Sequence, residues 1–391
     1  MSLANAGFTV EAVCPSRHPL RKTKVVADTH IYHGLRPLIS FTEAIAAAKP
    51  DLIISGDDTA TRHLRDLYYR ERGRGQAGAA LCVLIERSIG ASESFPVVHA
   101  RTRFVGIAQE EDIRVPESSV IADLGELKKW ATGVGFPMVL KADGTSGGDG
   151  VRIVHTFEEA ERAFQALEAP PLLARAVKRA MINEDMSLIW PSLLRRRYVV
   201  NAQSFVAGHE ATSLVACWNG AVLASLQFEV LNKQDSTGPA SALRLIENGE
   251  MSAAATKIVR RLKLSGLHGF DFMLEARTRN AYLIEINPRA TQVGHLTLGP
   301  GRDLPASLYA AVTGNAVHEA GKVTEKDTIA LFPQEWLRNP ASTFIRAGYH
   351  DVPWEEPELV RAGVVESRKW SNRFSHRKEI QALSAARFPL L

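Results

Sequence analysis

Two apolar segments in the second half of the chain carry acidic side chains at spacings that suit a metal ion. Residues 269–275 and 281–287 are predicted to form a hairpin that turns at residues 277–280. A turn centred near residue 278 places Asp271 opposite Glu285, on the face that also carries Asn287. Opposed carboxylates repel each other unless a cation lies between them. Two carboxylates and an amide offer the oxygen ligands that Mg²⁺ takes when it is shared with substrate phosphates.

The same hairpin has a second interpretation, in which its polar face is solvated and Arg277 or Arg289 neutralises the acids. Both interpretations bury the other face. The alternation of side chains predicts that this face is apolar core, made of Phe270, Phe272, Leu274, Tyr282, Ile284 and Ile286.

A glycine-rich loop over residues 144–150 is the second place where chemistry is indicated. It joins a predicted strand over 137–141 to another over 151–154, whereas a Walker loop or a dinucleotide loop would enter a helix. Backbone amides of such a loop can close on phosphate oxygens, and Lys141 at its root can supply positive charge. The alternative is a surface hairpin whose lysine is solvated.

The first hundred residues alternate strands and helices, which indicates a parallel, doubly wound sheet. Strands are predicted over residues 8–14 and 51–55. Ser40 with Glu43 is typical of a capping box that opens a helix through Ala48, and residues 56–59 lead into the next helix. We expect this unit to lack the first strand and glycine turn with which such domains normally begin, either because the start is truncated or because the domain does without them.

The later chain is predicted to be mostly antiparallel. Asp123 and Thr156 are each followed three residues later by glutamate, so each is expected to cap a helix. Asn219-Gly220 joins two apolar runs and is a strong hairpin signal. Beyond about residue 320, scattered prolines and a basic end indicate an extension that wraps the body.

Composition limits the class of protein. The 391 residues predict two or three domains, and a net charge of +4 is far below a nucleic-acid-binding composition. No apolar run approaches the length of a membrane span, and no secretion signal is legible. Cys14, Cys82 and Cys217 match no zinc or redox spacing. We therefore expect a cytoplasmic protein without nucleic-acid or membrane partners.

The residues described above resemble the ATP-grasp superfamily. The resemblance lies in Lys141 with its glycine loop and in residues 269–289, which end Glu285-Ile286-Asn287-Pro288-Arg289. It covers roughly residues 50 to 315 and implies an α/β and α+β fold that grips Mg-ATP between two subdomains. The domains are expected as a half-Rossmann domain (1–100), a small subdomain (101–198), a large subdomain (199–320) and a C-terminal extension (321–391).

The resemblance implies a nucleotide site. Lys141 would contact the α- and β-phosphates, and the loop would cover the triphosphate through Gly147, Gly148 and Gly150. The family's earlier lysine falls near Arg101 or Arg103, and an arginine can still bind phosphate by bidentate contact. The remaining nucleotide contacts that it implies are Gln203, Phe205 and Val206 at the adenine, with Gln203 standing where a glutamate is common, and Glu210 at the ribose hydroxyls.

It also implies the reacting end of the site. Asp271, Glu285 and Asn287 match the magnesium ligands, and Arg289 matches the arginine that steadies the acceptor carboxylate or acyl phosphate. The function expected is an ADP-forming carboxylate–amine ligase that acts on a small carboxylic acid and an amine through an acyl phosphate. Its cofactors would be ATP and Mg²⁺, with Mn²⁺ as a substitute, and family members suggest a homodimer. The alternatives are a small-molecule kinase, a bicarbonate-activating carboxylase, and a nucleotide-binding protein without catalysis.

Overall fold

The computed structural model describes residues 1–98, 100–143, 150–170, 173, 176–177, 189–195, 197–234, 238–316 and 321–371. Its strands form three sheets, and the fold is mixed α/β as expected. The strands are β1 (Glu11–Cys14), β2 (Asp28–Ile31), β3 (Ser118–Ile121), β4 (Met138–Ala142), β5 (Val151–Val154), β6 (Val200–Ser204), β7 (Gly208–Trp218), β8 (Ala221–Lys233), β9 (Ala240–Leu245), β10 (Gly266–Glu275), β11 (Ala281–Asn287), β12 (Thr328–Leu331) and β13 (Tyr349–Asp351).

Fourteen α-helices in the described residues accompany these sheets. In chain order they are α1 (Ser2–Asn5), α2 (Pro37–Ala48), α3 (Asp58–Arg72), α4 (Ala79–Ile89), α5 (Phe95–Val98), α6 (Arg101–Glu110), α7 (Leu124–Val134), α8 (Phe157–Glu168), α9 (Ile189–Leu193), α10 (Gly249–Arg261), α11 (Leu304–Thr313), α12 (Gln334–Arg338), α13 (Thr343–Ala347) and α14 (Pro357–Ser371). Within the described ranges, no helix combines the length and apolar character that crossing a bilayer requires.

The N-terminal part is a parallel pair, β1 and β2, packed with α2, α3 and α4. Two details of its predicted elements are wrong. Ser40 is not a cap, because Pro37 at the first helical position starts α2 three residues earlier and the Ser40 hydroxyl instead bonds the Arg36 carbonyl. Residues 52–55 are not paired with any described strand, although their backbone enters the body beside α4, where the Ile53 amide donates to Ser88.

A small antiparallel sheet holds the root of the glycine loop. Its strand order is β3-β6-β4-β5, and α7 and α8 cover one face. Both helices begin as predicted. The Asp123 carboxylate accepts the Glu126 amide at 2.9 Å, and the Thr156 hydroxyl accepts the Glu159 amide at 3.2 Å.

The largest sheet has the order β11-β10-β7-β8-β9-β12-β13. The predicted hairpin of β7 and β8 turns at Asn219 and Gly220, whose φ values of 49° and 81° are those of a type I′ turn. One face packs on α10 and α6, and the other packs on α11 and the chain from Val293 to Leu298. The sheet is therefore buried on both faces.

The hairpin of β10 and β11, called the metal hairpin because it carries the three predicted metal ligands, has the predicted register but contains a bulge. Asp271 pairs with Glu285, whereas Phe272 pairs with Leu283, so Ile284 is an extra residue. The bulge overturns part of the predicted core, because Ala281 and Leu283 are buried in place of Tyr282 and Ile284. Phe270, Phe272, Leu274 and Ile286 are buried as expected.

The chain beyond residue 320 does more than wrap the body, because β12 and β13 extend the largest sheet. Glu335 on α12 is fully buried there. Its carboxylate accepts from Arg338, Ser342 and Ser241, of which Ser241 lies on β9. These bonds fix the extension to the sheet that carries the metal hairpin.

Candidate functional site

The polar face of the metal hairpin brings its three predicted ligands together. Asp271 and Glu285 are directly opposed, and the Asn287 side chain donates to the Asp271 carboxylate at 2.8 Å. The Thr212 hydroxyl, across the sheet on β7, also bonds Asp271. Asp271, Glu285 and Asn287 are all partly exposed, so a ligand can reach them.

The electrostatics of this face favour a cation. Burial raises the pKa of Asp271 to about 6, and the opposed charge of Glu285 adds to the rise against the hydrogen bonds from Asn287 and Thr212. A carboxylate whose ionisation is resisted in this way gains stability when a positive ion arrives. The donor set of two carboxylates and one amide fits Mg²⁺.

Lys141 lies on β4 of the small sheet and faces this hairpin. Its side chain is only 7% exposed. The pKa of Lys141 is lowered to about 8, mainly by burial and to a smaller extent by Arg101, against the opposing effect of the Glu285 and Asp271 carboxylates. The lysine therefore sits within electrostatic range of both predicted metal ligands.

Arg101 begins α6 and links the two sheets. One guanidinium nitrogen donates to the Ala142 carbonyl at 2.6 Å, and the other donates to the Glu285 carboxylate at 3.1 Å. The Arg101 side chain is 22% exposed. It therefore neutralises a predicted metal ligand while holding the end of the strand that leads into the glycine loop.

Hydrogen bonds hold the two strands at the root of the glycine loop. The Ala142 amide donates to the Gly150 carbonyl, and the Asn201 side chain donates to Asp143 at 2.8 Å. Burial raises the pKa of Asp143. Gly150 is buried, whereas the predicted phosphate contacts Gly147 and Gly148 lie outside the described residues.

The predicted adenine segment joins the two sheets. Gln203 lies on β6 with its side chain buried against Ser118, and Phe205 and Val206 connect that strand to β7 of the large sheet. Glu210 is exposed on β7 and accepts from Lys233 at 2.7 Å. The segment thus borders both halves of the site, as an adenine-binding linker would.

Arg289 follows the hairpin and faces the N-terminal part. Its Nε donates to the Asp58 carboxylate at 3.0 Å, and its terminal nitrogens approach the Ala290 carbonyl at 3.3 Å and the Asn287 amide oxygen at 3.4 Å. Asn287 therefore contacts both the predicted acceptor arginine and the predicted metal ligand Asp271.

These contacts occur inside a segment that matches a known family. Residues 100–298, half of the chain, match the family model described as the carbamoyl-phosphate synthase L chain, ATP binding domain. The chain belongs to this ATP-grasp family.

Solved structures with the same fold are ATP-grasp enzymes. One is the biotin carboxylase domain of Hydrogenobacter thermophilus 2-oxoglutarate carboxylase, solved with MgADP, ADP and bicarbonate. The match covers 81% of this chain and 67% of that domain, with 14% sequence identity and a TM-score of 0.56. Another is the β-γ-ATP complex of Campylobacter jejuni biotin carboxylase. This match covers 81% of this chain and 68% of that one, with 14% sequence identity and a TM-score of 0.57. N5-carboxyaminoimidazole ribonucleotide synthetase from Thermus thermophilus covers 82% and 77% at 17% identity and TM-score 0.54. At these identities the likeness establishes the fold alone.

The sequence did not single out two acids at this candidate site. Asp58 pairs with Arg289, and Asp143 lies 4.0 Å from Arg101. Each acid has a feature in the sequence that could have pointed to it. Asp58 follows another aspartate at the turn into a predicted helix, where one aspartate is enough to cap the helix. Asp143 directly precedes the glycine loop.

A third acid, Glu229, supports the hairpin from the other face of the sheet. It is 3% exposed and accepts from Arg279 at 2.9 Å and from Arg244 at 2.6 Å. Hydrogen bonds from these two arginines lower the pKa of Glu229 to about 2 although burial opposes them. Because Arg279 lies in the turn between β10 and β11, this buried charge helps to fix the metal hairpin.

Proposed function

We propose that this protein is an ATP-dependent, Mg²⁺-requiring, ADP-forming ligase that joins a small carboxylic acid to an amine through an acyl phosphate. The observation that carries the proposal is that two opposed carboxylates lie close to two cationic side chains, of which Lys141 comes from the small sheet and Arg101 from the start of α6. Asp271 and Glu285 face each other on the hairpin, and Arg101 and Lys141 approach them. Such a set of charges suits a metal–triphosphate complex better than any uncharged ligand.

The metal ligands in this proposal are Asp271, Glu285 and Asn287. When bound there, Mg²⁺ would neutralise phosphate charge. The protein's own part is positioning: Thr212 and Asn287 hold the Asp271 carboxylate, and Arg101 holds Glu285 until the nucleotide arrives. Phosphoryl transfer depends mainly on positioning and charge stabilisation, so few acid–base groups are needed.

The nucleotide would lie between the two sheets. Lys141 would contact the α- and β-phosphates, and Arg101 would leave Glu285 to bind phosphate. The remaining contacts that we propose are Gln203, Phe205 and Val206 at adenine, Glu210 at ribose, and Gly147, Gly148 and Gly150 over the triphosphate. The position of residues 205–207 between β6 and β7 supports the adenine assignment.

Arg289 would bind the carboxylate that reacts. A carboxylate oxygen attacks the γ-phosphorus, the bond from that phosphorus to the β-phosphate oxygen breaks, and ADP leaves. The amine then attacks the acyl carbon, and phosphate leaves as the amide forms. Within the described part of the chain, the terminal nitrogens of Arg289 contact Ala290 and Asn287, which leaves one hydrogen on each of them. It can therefore hold both the carboxylate and the acyl phosphate.

Bicarbonate activation is the second candidate. Two of the similar structures are biotin carboxylases, and one of these was solved with bicarbonate. Bicarbonate carries the same anionic CO₂ group as a carboxylate, so the same residues would act on it. The two candidates differ in whether ADP release requires bicarbonate or an organic acid.

The experiment is ADP release with Mg-ATP against pools of organic carboxylic acids with amines, and against bicarbonate. Wild type runs beside Glu285→Ala, Lys141→Ala and the control Glu275→Ala, which alters the far end of the same hairpin. The ligase proposal expects acid-dependent ADP that is lost in the first two variants and kept in the control. Mg-ATP binding is measured by calorimetry on the same samples.

Each other result points elsewhere. Release that needs bicarbonate alone would replace the ligase with a carboxylase, and a stable phosphorylated acid would identify a kinase. Tight Mg-ATP binding without ADP from any pool would indicate a nucleotide-binding protein without catalysis. An absence of Mg-ATP binding in wild type would refute the nucleotide site itself.

A further inference from the structure

The turn that enters α3 is fixed directly onto the segment that carries Arg289. The Ala290 amide donates to the Ser55 carbonyl at 2.9 Å, and the Thr61 hydroxyl donates to the Pro288 carbonyl at 2.9 Å. Between these two bonds, the Arg289 side chain pairs with Asp58. Three consecutive residues after the hairpin thus each contact the turn over residues 55–61, so the N-terminal part is built into the acceptor end of the site.

Asp58 is not required to start its helix. The cap of α3 is Asp57, whose carboxylate accepts the Ala60 amide at 2.8 Å. Among the contacts of the described residues, Asp58 uses one carboxylate oxygen, on Arg289, and its side chain is 40% exposed. There is also space beside the turn, because a Cβ added at Gly56 would meet no atom within 4 Å.

Counted over contacts between described residues, Arg289 and Asp58 together present one positive end and one negative oxygen without a partner. The guanidinium is 25% exposed, and on the same count each of its terminal nitrogens keeps one hydrogen. A half-exposed ion pair contributes little to folding, so a ligand can replace it at small cost. A single ligand that binds both side chains carries a carboxylate for Arg289 and, next to it, a cation for Asp58.

We propose that the carboxylic acid substrate is an α-amino acid, with its carboxylate on Arg289 and its α-ammonium on Asp58. The proposal rests on the proposed function, in which Arg289 binds the reacting carboxylate. It adds that Asp58 selects the substrate. An acid that lacks the ammonium leaves Asp58 paired with Arg289 Nε, so it meets a guanidinium whose charge is already neutralised and makes no contact with Asp58. An amino acid gains both contacts, and selection against amine-free analogues follows from that difference.

A simpler role for Asp58 makes a different prediction. If Asp58 only orients Arg289, its loss lowers activity toward every carboxylate by the same factor. If Asp58 binds the ammonium, its loss lowers kcat/KM for amino acids and leaves the amine-free analogues unchanged or improved.

The test compares matched pairs of acids. L-alanine is set against propionate, L-phenylalanine against 3-phenylpropionate, and L-glutamate against glutarate, each with Mg-ATP and an excess of amine. Wild type runs beside Asp58→Asn and the control Asp51→Asn, an exposed acid in the same part of the chain. Because Asp57 remains as the cap, Asp58→Asn should fold, and thermal unfolding verifies this.

Wild type and Asp51→Asn are expected to prefer the amino acid of at least one pair by about 100-fold in kcat/KM, and Asp58→Asn is expected to lose that preference. Equal use of the two members of every pair by wild type would overturn the inference. So would an equal loss for both members in Asp58→Asn, which is the signature of a positioning role.

A binding measurement separates this inference from the ligase proposal. The same pairs are titrated by calorimetry into protein saturated with Mg²⁺ and a non-hydrolysable ATP analogue. Absence of ADP release with every acid would refute the ligase, whereas amino-acid binding that Asp58→Asn abolishes would still support the zwitterion site. No binding of any amino acid would refute it.

Discussion

Asp271 and Glu285 lie directly opposite each other on β10 and β11, one residue before the point where a bulge shifts the register. The bulge keeps the two carboxylates paired and at the same time turns Leu283 into the core. The two acids thus lie on a partly exposed face of the hairpin, whereas the opposite face of the hairpin is fully packed. This arrangement stores an unfavourable interaction that a bound cation relieves.

Replacement of Asp271 by asparagine is expected to stabilise the metal-free protein at neutral pH. The folded-state pKa of Asp271 is raised to about 6, so protonated Asp271 favours the folded state. Its contribution to the free energy of unfolding is fully present below about pH 4 and is lost as pH rises through 6. At pH 7.5 the free energy of unfolding of Asp271→Asn should therefore exceed that of wild type by about 1 kcal/mol, allowing for solvent screening. Near pH 4 the two should coincide.

Thermal and urea unfolding across pH 4 to 8 measure this difference, with Glu275→Gln as the control. Addition of Mg²⁺ at pH 7.5 should reverse the order, because only wild type gains from metal binding. A variant that is less stable than wild type at pH 7.5 without metal would contradict the electrostatic account of this face.

Arg101 is expected to compete with Mg²⁺ for Glu285 while it helps to bind ATP. Arg101→Ala removes the cation now on Glu285 and should strengthen the binding of Mg²⁺ alone. It should also raise the KM for ATP by about tenfold or more, because a charge-assisted contact to phosphate is lost.

Arg103 provides the matched control, since it is exposed on the same helix, two residues away. Arg103→Ala should change neither quantity. Metal titrations and initial rates measure both effects. Weaker Mg²⁺ binding in Arg101→Ala, or equal effects of the two variants, would refute the competition.

Local rules predicted much of this site from the sequence. The turn over residues 277–280 correctly set Asp271 against Glu285, and the caps at Asp123 and Thr156 were correct because each depends on residues only three positions apart. Backbone chemistry at Asn219-Gly220 likewise fixed the hairpin of β7 and β8.

The predictions were wrong where a neighbouring residue outweighed the sequence pattern, or where the structure depends on residues that are distant in the chain. Pro37 outweighed the capping box at Ser40, because a proline at the first helical position is already set for a helix. The bulge at Ile284 is invisible to simple alternation, which assigned Tyr282 to the core.

Pairs far apart in the chain were also missed. Asp58 and Arg289 are 231 residues apart, and Glu229 and Arg279 are 50 apart, so neither pair has a local pattern in a single sequence.

Lys141 is expected to take up a proton when Mg-ATP binds in mildly alkaline buffer. Its pKa is lowered to about 8 in the free protein, mainly by burial, so it is largely neutral at pH 8.5 and charged at pH 6.5. Phosphate oxygens beside the ammonium would raise that pKa again. Binding at pH 8.5 should therefore take up as much as about one proton, and binding at pH 6.5 almost none from this group.

Calorimetry in buffers of different ionisation enthalpy measures the proton uptake. Lys141→Met should abolish it, whereas Lys128→Met, at an exposed position on α7, should leave it unchanged. Uptake at pH 8.5 that persists in Lys141→Met would assign the proton to another group.

Glu335 is expected to be required for the stability of the large sheet although it lies outside the matched family segment. Burial opposes its ionisation, but hydrogen bonds from Arg338, Ser342 and Ser241 prevail and lower the pKa of Glu335 to about 2. Glu335→Gln leaves Arg338 without its partner and should cost about 3 kcal/mol or more of unfolding free energy at pH 7. The control Glu325→Gln removes one end of an exposed pair with Lys322 and should cost less than about 0.5 kcal/mol.

The pH dependence identifies the cause of this loss. A carboxyl group with a lowered folded-state pKa contributes stability above about pH 4.5, and the contribution disappears as pH falls toward 2. The gap between wild type and Glu335→Gln should therefore be constant above pH 5 and shrink below 4.5 in urea-unfolding measurements. A gap that stays constant down to the acid transition would mean that glutamine disturbs packing, and that the ionised carboxylate is not what fixes β12 and β13 to the sheet.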